Sequence, residues 1–489
     1  MKKLALILLA LVLLVPLLVA CGGEDESSIA SEASTTSIDE EVEVRDMHER
    51  EFQVLCHDFG YNSNSILGFT GEVLIKDEEN MSSVDEAKKR VIDNIEAAYN
   101  CTISGDIITD AVYNVVKTQI TSGLPYYEIC FDSMGNAATL AVEKLLLDLN
   151  EIPTIDLSKS WWDQNAVKDL SLGGKVFFTC GDINTYDDQG TWCILFNKVL
   201  KDKLGISEDF YQMAKDGSWT FDELVRICRD YNVTQNNNGD SVLDEKDQWA
   251  FGGETYNIYV HCVAAGIPIS EKDEEDLPIL TYNSDREATF QVLSEVLDFY
   301  TDNSVTMIAN YKPYTEKGFS NVWEATTHKA FIEGRELFYM CGLINVASFR
   351  KMDDEFGILP VPKHYDTQDR YYHTVSCGNC TMMYLPIDVV DPDEVGLIIS
   401  ALSKESKKYV TPAYYDVQLK YRDAKDEESA EILDIIFSTR MFDIANAYNW
   451  GEIRSLYTSM EKDTIASRFE ANIGVAQAKL DEMLEDLDW

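Results

Sequence analysis

The chain has 489 residues, 45% of them hydrophobic and 11% aromatic, a globular composition long enough for more than one core. Its 41 lysines and arginines are outweighed by 86 aspartates and glutamates, a formal net charge of −45. That balance argues against nucleic acid, whose phosphates are gripped by clustered basic side chains, and favours neutral or cationic small molecules over anions.

Lys2 and Lys3 precede an apolar run from Leu4 to Ala20, broken by Pro16, which is the layout of an export signal. The run is short for the roughly 20 apolar residues of a membrane-spanning helix. Leu18, Val19, Ala20 and Cys21 resemble the bacterial lipobox, in which the signal is cut before the cysteine and that cysteine receives lipid. Residues 1–20 are therefore expected to be a signal peptide. Residues 21–47 are expected to be a flexible tether anchored by a palmitate-type lipid on Cys21. Their Gly, Ser, Thr, Asp and Glu bury too little apolar surface to offset the entropy of ordering.

From Glu51 the pattern alternates strand and helix. "FQVLCHDFG" reads as a strand running into a polar loop, and Ser83 with Glu86 reads as a capping box before Val84, Ala87, Val91, Ile92 and Ile95 at helical spacing. "CTISGDI" is a second strand, Asp110 to Ile120 a helix, "YYEICFDS" a third strand, Ala137 to Leu149 a helix, and "GGKVFFTCGD" a further strand. This succession predicts an α/β fold with a parallel sheet and ligands at the carboxyl ends of its strands. Further on, Thr220 and Glu223 cap another helix, "TMMYLP" reads as a buried strand, and Arg286 to Tyr300 and Asp463 to Leu484 read as long amphipathic helices.

Asn236, Asn238, Asp240, Val242, Asp244 and Asp247 stand at positions one, three, five, seven, nine and twelve of a calcium loop, oxygen donors at the spacing a hard cation needs. Ser241 replaces the turn glycine and Asn236 the first aspartate, so an Asx-rich turn is the competing reading. The "SCGNC" stretch holds a CxxC without the partner ligands that zinc requires, and reads as small core or hinge residues. Ten cysteines follow Cys21, several inside apolar runs, and are expected to be mostly unpaired thiols from an oxygen-poor setting. HExxH, GxSxG and GxxxxGK motifs are absent, which weakens protease, esterase and nucleotidase readings and nominates no catalytic residue. A surface glycoside hydrolase stays open, because two carboxylates far apart in sequence suffice. Trp161 and Trp162 read as packing residues, while some of the other aromatics are expected to offer flat faces to a sugar.

The landmarks "GLPYYEICFDSMG", "LSLGGKVFF", "GSWTFDEL", "DEKDQWAFGG", "AFIEGRELF", "FGILPVPK" and "FSTRMFDIANAYNWG", in this order, resemble the family 1 extracellular solute-binding proteins of bacterial ABC importers. The resemblance implies a two-lobed, type II periplasmic-binding-protein-like fold. It places lobe 1 at 48–185 and 376–432 and lobe 2 at 190–372 and 436–489, with a ligand cleft between them. It further implies a monomer without required cofactor at the outer face of the cytoplasmic membrane, passing a small solute, most readily an oligosaccharide or sugar derivative, to permease subunits. Carried over by position, it nominates Asp132, Ser133, Asp182, Tyr186, Trp192, Glu254, Tyr256, Asn345 and Arg440 as ligand-binding residues; at "CGLIN" this chain has no aromatic, leaving Asn345. A sensor or adhesion lipoprotein on the same fold is the other class that fits.

Overall fold

The computed structural model describes residues 41–58, 71–312, 314–414 and 427–485, so Cys21 and the expected signal peptide at 1–20 lie outside the described residues. Strand β1 (Arg50–His57) buries Phe52, Val54, Leu55 and Cys56 on both of its faces, as a central parallel strand must. Helix α1 (Ser83–Tyr99) crosses over to β2 (Cys101–Ile108), which pairs with β1 in parallel, Arg50 opposite Cys101. The capping box of α1 sits one residue before the expected one. Ser82 Oγ accepts from Asp85 N, and the Asp85 carboxylate accepts from Ser82 N. Two Ser-x-x-acid windows overlap there and the earlier one makes the cap, while Val84 and Val91 lie on the buried face as expected.

Helix α2 (Val112–Ser122) then leads to β3 (Ile129–Ser133), parallel to β1 on its other side. Ser133 ends β3 and caps α3 (Met134–Val142), its Oγ accepting from Asn136 N. Helix α3 stops at Val142, short of the expected Leu149, and Lys144 takes a left-handed φ of 60°. The expected strand over 173–182 is a further correction. Only isolated bridges form there, Lys175 with Leu172, Thr179 with Met383 and Gly181 with Trp162, because the segment runs past the sheet into the first crossing.

A second sheet follows. Strand β4 (Trp192–Asn197), β5 (Trp249–Gly253), helix α4 (Asn257–Ala264), β6 (Thr306–Ile308), β7 (Glu336–Gly342) and β8 (Phe356–Leu359) supply it, with strand order β8-β4-β7-β5-β6. Strands β5, β6 and β7 are parallel, and β4 is antiparallel to β7 with Trp192 opposite Gly342. The chain then returns to the first sheet as β9 (Thr381–Tyr384), antiparallel to β3, giving the order β9-β3-β1-β2. Two α/β lobes result, each with a sheet of its own.

Three passes of chain run between the sheets and touch one another. Thr191 bridges Val375, and Ser376 N donates to Gly190 O at 2.9 Å. His373–Thr374 pairs in parallel with Arg440–Met441. Gly190 is required at this approach, since a Cβ would sit 2.8 Å from Asn379 O. Beyond the last pass, helix α5 (Ile444–Tyr448) packs against α3. All ten described cysteines are buried and unpaired, and no helix among the described residues is long and apolar enough to cross a membrane.

Candidate functional site

Because β1, β2 and β3 are parallel, their carboxyl ends share one rim, which carries His57, Asp132 and Ser133. In the second sheet the same logic gathers Glu254 after β5, Asn310 after β6 and Asn345 after β7. The antiparallel β4 adds Trp192 from its first residue. The two rims meet at the crossings. Gly135 N, at the start of α3, donates to Cys377 O at 3.1 Å. Arg454 then bonds Cys377 Sγ and Asn446 O, and Asn446 Nδ2 donates to the Tyr256 hydroxyl at 2.9 Å.

On the first rim Asp132 is fully buried and saturated. It accepts from Tyr113 N at 2.8 Å, Ser133 N at 2.7 Å and Asn136 Nδ2 at 2.9 Å, with His57 Nδ1 at 3.8 Å. Burial still raises its pKa against those bonds. Asp132 therefore shapes the end of β3 and the start of α3.

The second rim is different. The Trp192 and Tyr256 rings lie 5.4 Å apart at 32°, a tilted pair. Trp192 is 5% exposed, and its indole N–H has no partner among the described residues. Two positions before Tyr256, the half-buried Glu254 carboxylate accepts one bond, from Asn310 Nδ2 at 3.2 Å. Burial alone pushes its pKa up to about 7, with no basic group among the causes. Asn257 fixes the turn by accepting Glu254 N at 2.7 Å, while its own buried Nδ2 is unpartnered among the described residues.

Three nominated residues are committed elsewhere. Arg440, with a side chain 11% exposed, donates to Asp163 and Asp188 at 2.6 Å and to Asp187 at 3.2 Å, tying the last crossing to the first. Asp182 accepts from Thr411 and lies 3.5 Å from Lys407 Nζ. Tyr186 is fully buried, and its backbone N–H donates to Glu72. Asn345 is half-buried in the turn after β7.

Sequence reading missed Glu72 and Trp323. Glu72 is 1% exposed and accepts from Thr185 N at 2.8 Å, Thr185 Oγ1 at 2.9 Å, Tyr186 N at 3.0 Å and Thr381 Oγ1, pinning two crossings. The half-buried Trp323 ring lies 4.1 Å from His328, which is 5.0 Å from Phe349 in the turn holding Asn345. An aromatic thus reaches the neighbourhood of "CGLIN" from another segment. It follows no motif, although the irregular helix turn at Glu324–His328, with Thr326 at φ −115° and ψ −105°, marks the place.

Two clusters have metal-like composition. Asp163, Cys180 and Asp187 bring ligand atoms within 4.8 Å of one another, but the Arg440 guanidinium already occupies the two carboxylates. In the Asn236–Asp247 loop the side-chain oxygens take backbone N–H groups. Asn236 accepts from Gly239, Asn238 from Asp240, Asp240 from Val242, Asp244 from Lys246, and Asp247 from Asn237 and Asp244. The left-handed turn falls at Gly239 with φ 75°, at position four, and an ion here would have to displace these bonds.

The fold is that of the two-lobed solute-binding proteins. Solved structures that share it include the following three. A substrate-binding protein of an ABC transporter from Listeria monocytogenes, in complex with cycloalternan, is 12% identical, with 90% of this chain and 100% of that one covered at a TM-score of 0.53. UspC of M. tuberculosis is 12% identical, with 88% and 100% covered at 0.55. The GacH receptor of Streptomyces glaucescens, solved unliganded and with acarbose, is 11% identical, with 90% and 99% covered at 0.51. No protein-family profile matches the chain, and no curated protein sequence matches it.

Proposed function

We propose that this protein is a carbohydrate-capturing receptor of an ABC importer, held at the outer face of the membrane by lipid on Cys21 and handing its cargo to permease subunits as a monomer. The observation that carries this reading is the second rim: an aromatic pair and, among the described residues, a desolvated indole N–H without a partner and a carboxylate with one. A buried donor left unmade costs about 1–3 kcal/mol, so a ligand that accepts from Trp192 recovers that cost. Flat rings suit the C–H face of a sugar, and Glu254, Asn257 and Asn310 suit its hydroxyls. That the fold neighbours named above include proteins solved with cycloalternan and acarbose supports the choice of ligand class. Closure follows only insofar as the ligand binds the closed arrangement better than the open one.

A thermal-shift screen of the protein over saccharides, amino acids, peptides and polyamines tests the reading. Saccharides should produce the shifts, about 2.7 kcal/mol of stabilisation at 100 times the dissociation constant, with no product released. Stabilisation by amino acids or peptides alone, or catalytic release of sugar, would replace it.

A further inference from the structure

The ten described cysteines are all buried thiols, but they are not equivalent. Cys101 and Cys228 donate to the backbone oxygens of Ile95 and Ala250 at 4.0 Å. The Cys377 sulfur accepts from Arg454 Nη1. Cys56 and Cys130 stand on neighbouring parallel strands, yet the register sets Cys130 opposite Leu55 and Cys56 opposite Phe131, which sends the two side chains to opposite faces of the sheet. In the second sheet β4 and β7 run antiparallel with Cys193 directly opposite Cys341, the one pair of cysteines in register among the described residues. Facing residues of an antiparallel pair share a face, and here the two thiols hydrogen-bond one another. Two positions along the same ladder, Leu343 N donates to Thr191 O at 2.9 Å. The alternation of the ladder therefore makes Cys193 and Cys341 a hydrogen-bonded pair, a kind whose Cα atoms lie about 5.5 Å apart. A disulfide spans about 4.4–6.8 Å between Cα atoms, so this pair closes without a change of register.

We infer that Cys193 and Cys341 are a site of covalent modification: a disulfide that joins β4 to β7 when the chain folds in an oxidising compartment. Folding at the outer face proposed above supplies that compartment, whatever the ligand class. Burial sets the timing. In the folded protein Cys193 is 0% and Cys341 1% exposed, and burial raises the Cys341 thiol well above its ordinary value, so the attacking thiolate is scarce and shielded. The reaction belongs to the folding chain, as β7 pairs with β4 and before the sheet is covered. One cysteine thiolate attacks the disulfide of oxidised glutathione or of a thiol-disulfide oxidoreductase, releasing one thiol and leaving a mixed disulfide. The second thiolate attacks the cysteine sulfur of that mixed disulfide and releases the other thiol. Two electrons and two protons pass from the cysteine pair to the oxidant. The link lies one residue below Trp192 and Gly342, and Thr191, one residue further, bridges Val375 of the second crossing. It braces the wall that presents Trp192 and encloses β5, α4 and β6 in one covalent loop.

The test is refolding of the protein from its reduced, denatured state into glutathione buffers of graded reduced-to-oxidised ratio. The folded fraction is then denatured in iodoacetamide and its peptides are mapped by mass spectrometry. From the oxidising buffers, Cys193 and Cys341 should escape alkylation and appear in one cross-linked peptide pair, with the other eight described cysteines alkylated. The oxidised form should unfold at about 0.5 M higher urea or more than the reduced form, a difference absent from the variant carrying Cys193→Ala and Cys341→Ala. Folded protein alkylated at both residues, a disulfide placed elsewhere such as Cys377 with Cys380, or folded protein recovered from the reducing buffers alone overturns the inference. None of these results touches the carbohydrate reading, which stands or falls on the saccharide screen.

Discussion

The carboxylates at the crossings and the one on the second rim are chemically the same group in opposite situations. Asp163, Asp187 and Asp188 surround one guanidinium, their charge spent inside the molecule, whereas Glu254 has, among the described residues, a single neutral hydrogen-bond partner and an opening toward solvent. Two of these acids have pKa values in a similar raised range, Asp188 at about 6 and Glu254 at about 7, both chiefly through burial. The shift therefore does not tell a binding group from a structural one. Partners and exposure together do: the acids at the crossings are held by a cation, whereas Glu254, unlike Glu336, which is fully buried and unpartnered among the described residues, is open enough to meet a ligand.

Removing the shared cation should break the comparison most severely. Arg440→Ala leaves three buried acids facing each other and should cost about 3–5 kcal/mol in a denaturant titration. A loss under 1 kcal/mol would mean that water already screens the cluster. Next comes Glu72→Ala, which orphans Thr185 N, Tyr186 N and two hydroxyls at the crossings and should cost about 1–3 kcal/mol by the same measurement.

Glu254→Gln should act in the opposite direction and depend on pH. The folded protein holds the Glu254 proton up to about pH 7, against an ordinary value of 4.5, so ionisation costs stability progressively between those values. The melting temperature of Glu254→Gln relative to the parent should rise from pH 5 to pH 8; a flat difference would show that Glu254 is well solvated. Calcium should have the smallest effect. With its oxygens already holding backbone N–H groups and two asparagines in place of aspartates, the 236–247 loop belongs with weak, millimolar sites, worth about 1 kcal/mol at a few millimolar ion after chelation. A shift that saturates at micromolar calcium would contradict this.

Much of the architecture could be read from residues alone, because strand and helix periodicities report local burial. β1, β2, β3 and the helix at Arg286–Tyr300 fall where those patterns place them. The miss at 173–182 has a physical reason: an apolar run says that a segment is buried, not that it has a neighbour to pair with, and this one meets a single residue of β9. The site was less legible. The reading of Glu254 and Tyr256 came from resemblance, but the stacking of Tyr256 on Trp192 joins residues 64 positions apart and has no local signature. Arg440 shows the converse. A lone arginine after a helix looks free in sequence, and its partner Asp163 is 277 residues away.

The central claim, that the second rim receives the sugar, is tested most directly by the indole N–H resonances of protein labelled with nitrogen-15. Of the eight tryptophans, the one whose signal vanishes in Trp192→Phe should shift when a bound saccharide saturates the protein, as its orphaned N–H gains an acceptor. A saccharide that binds and leaves that signal unmoved would place the cargo elsewhere and contradict the account.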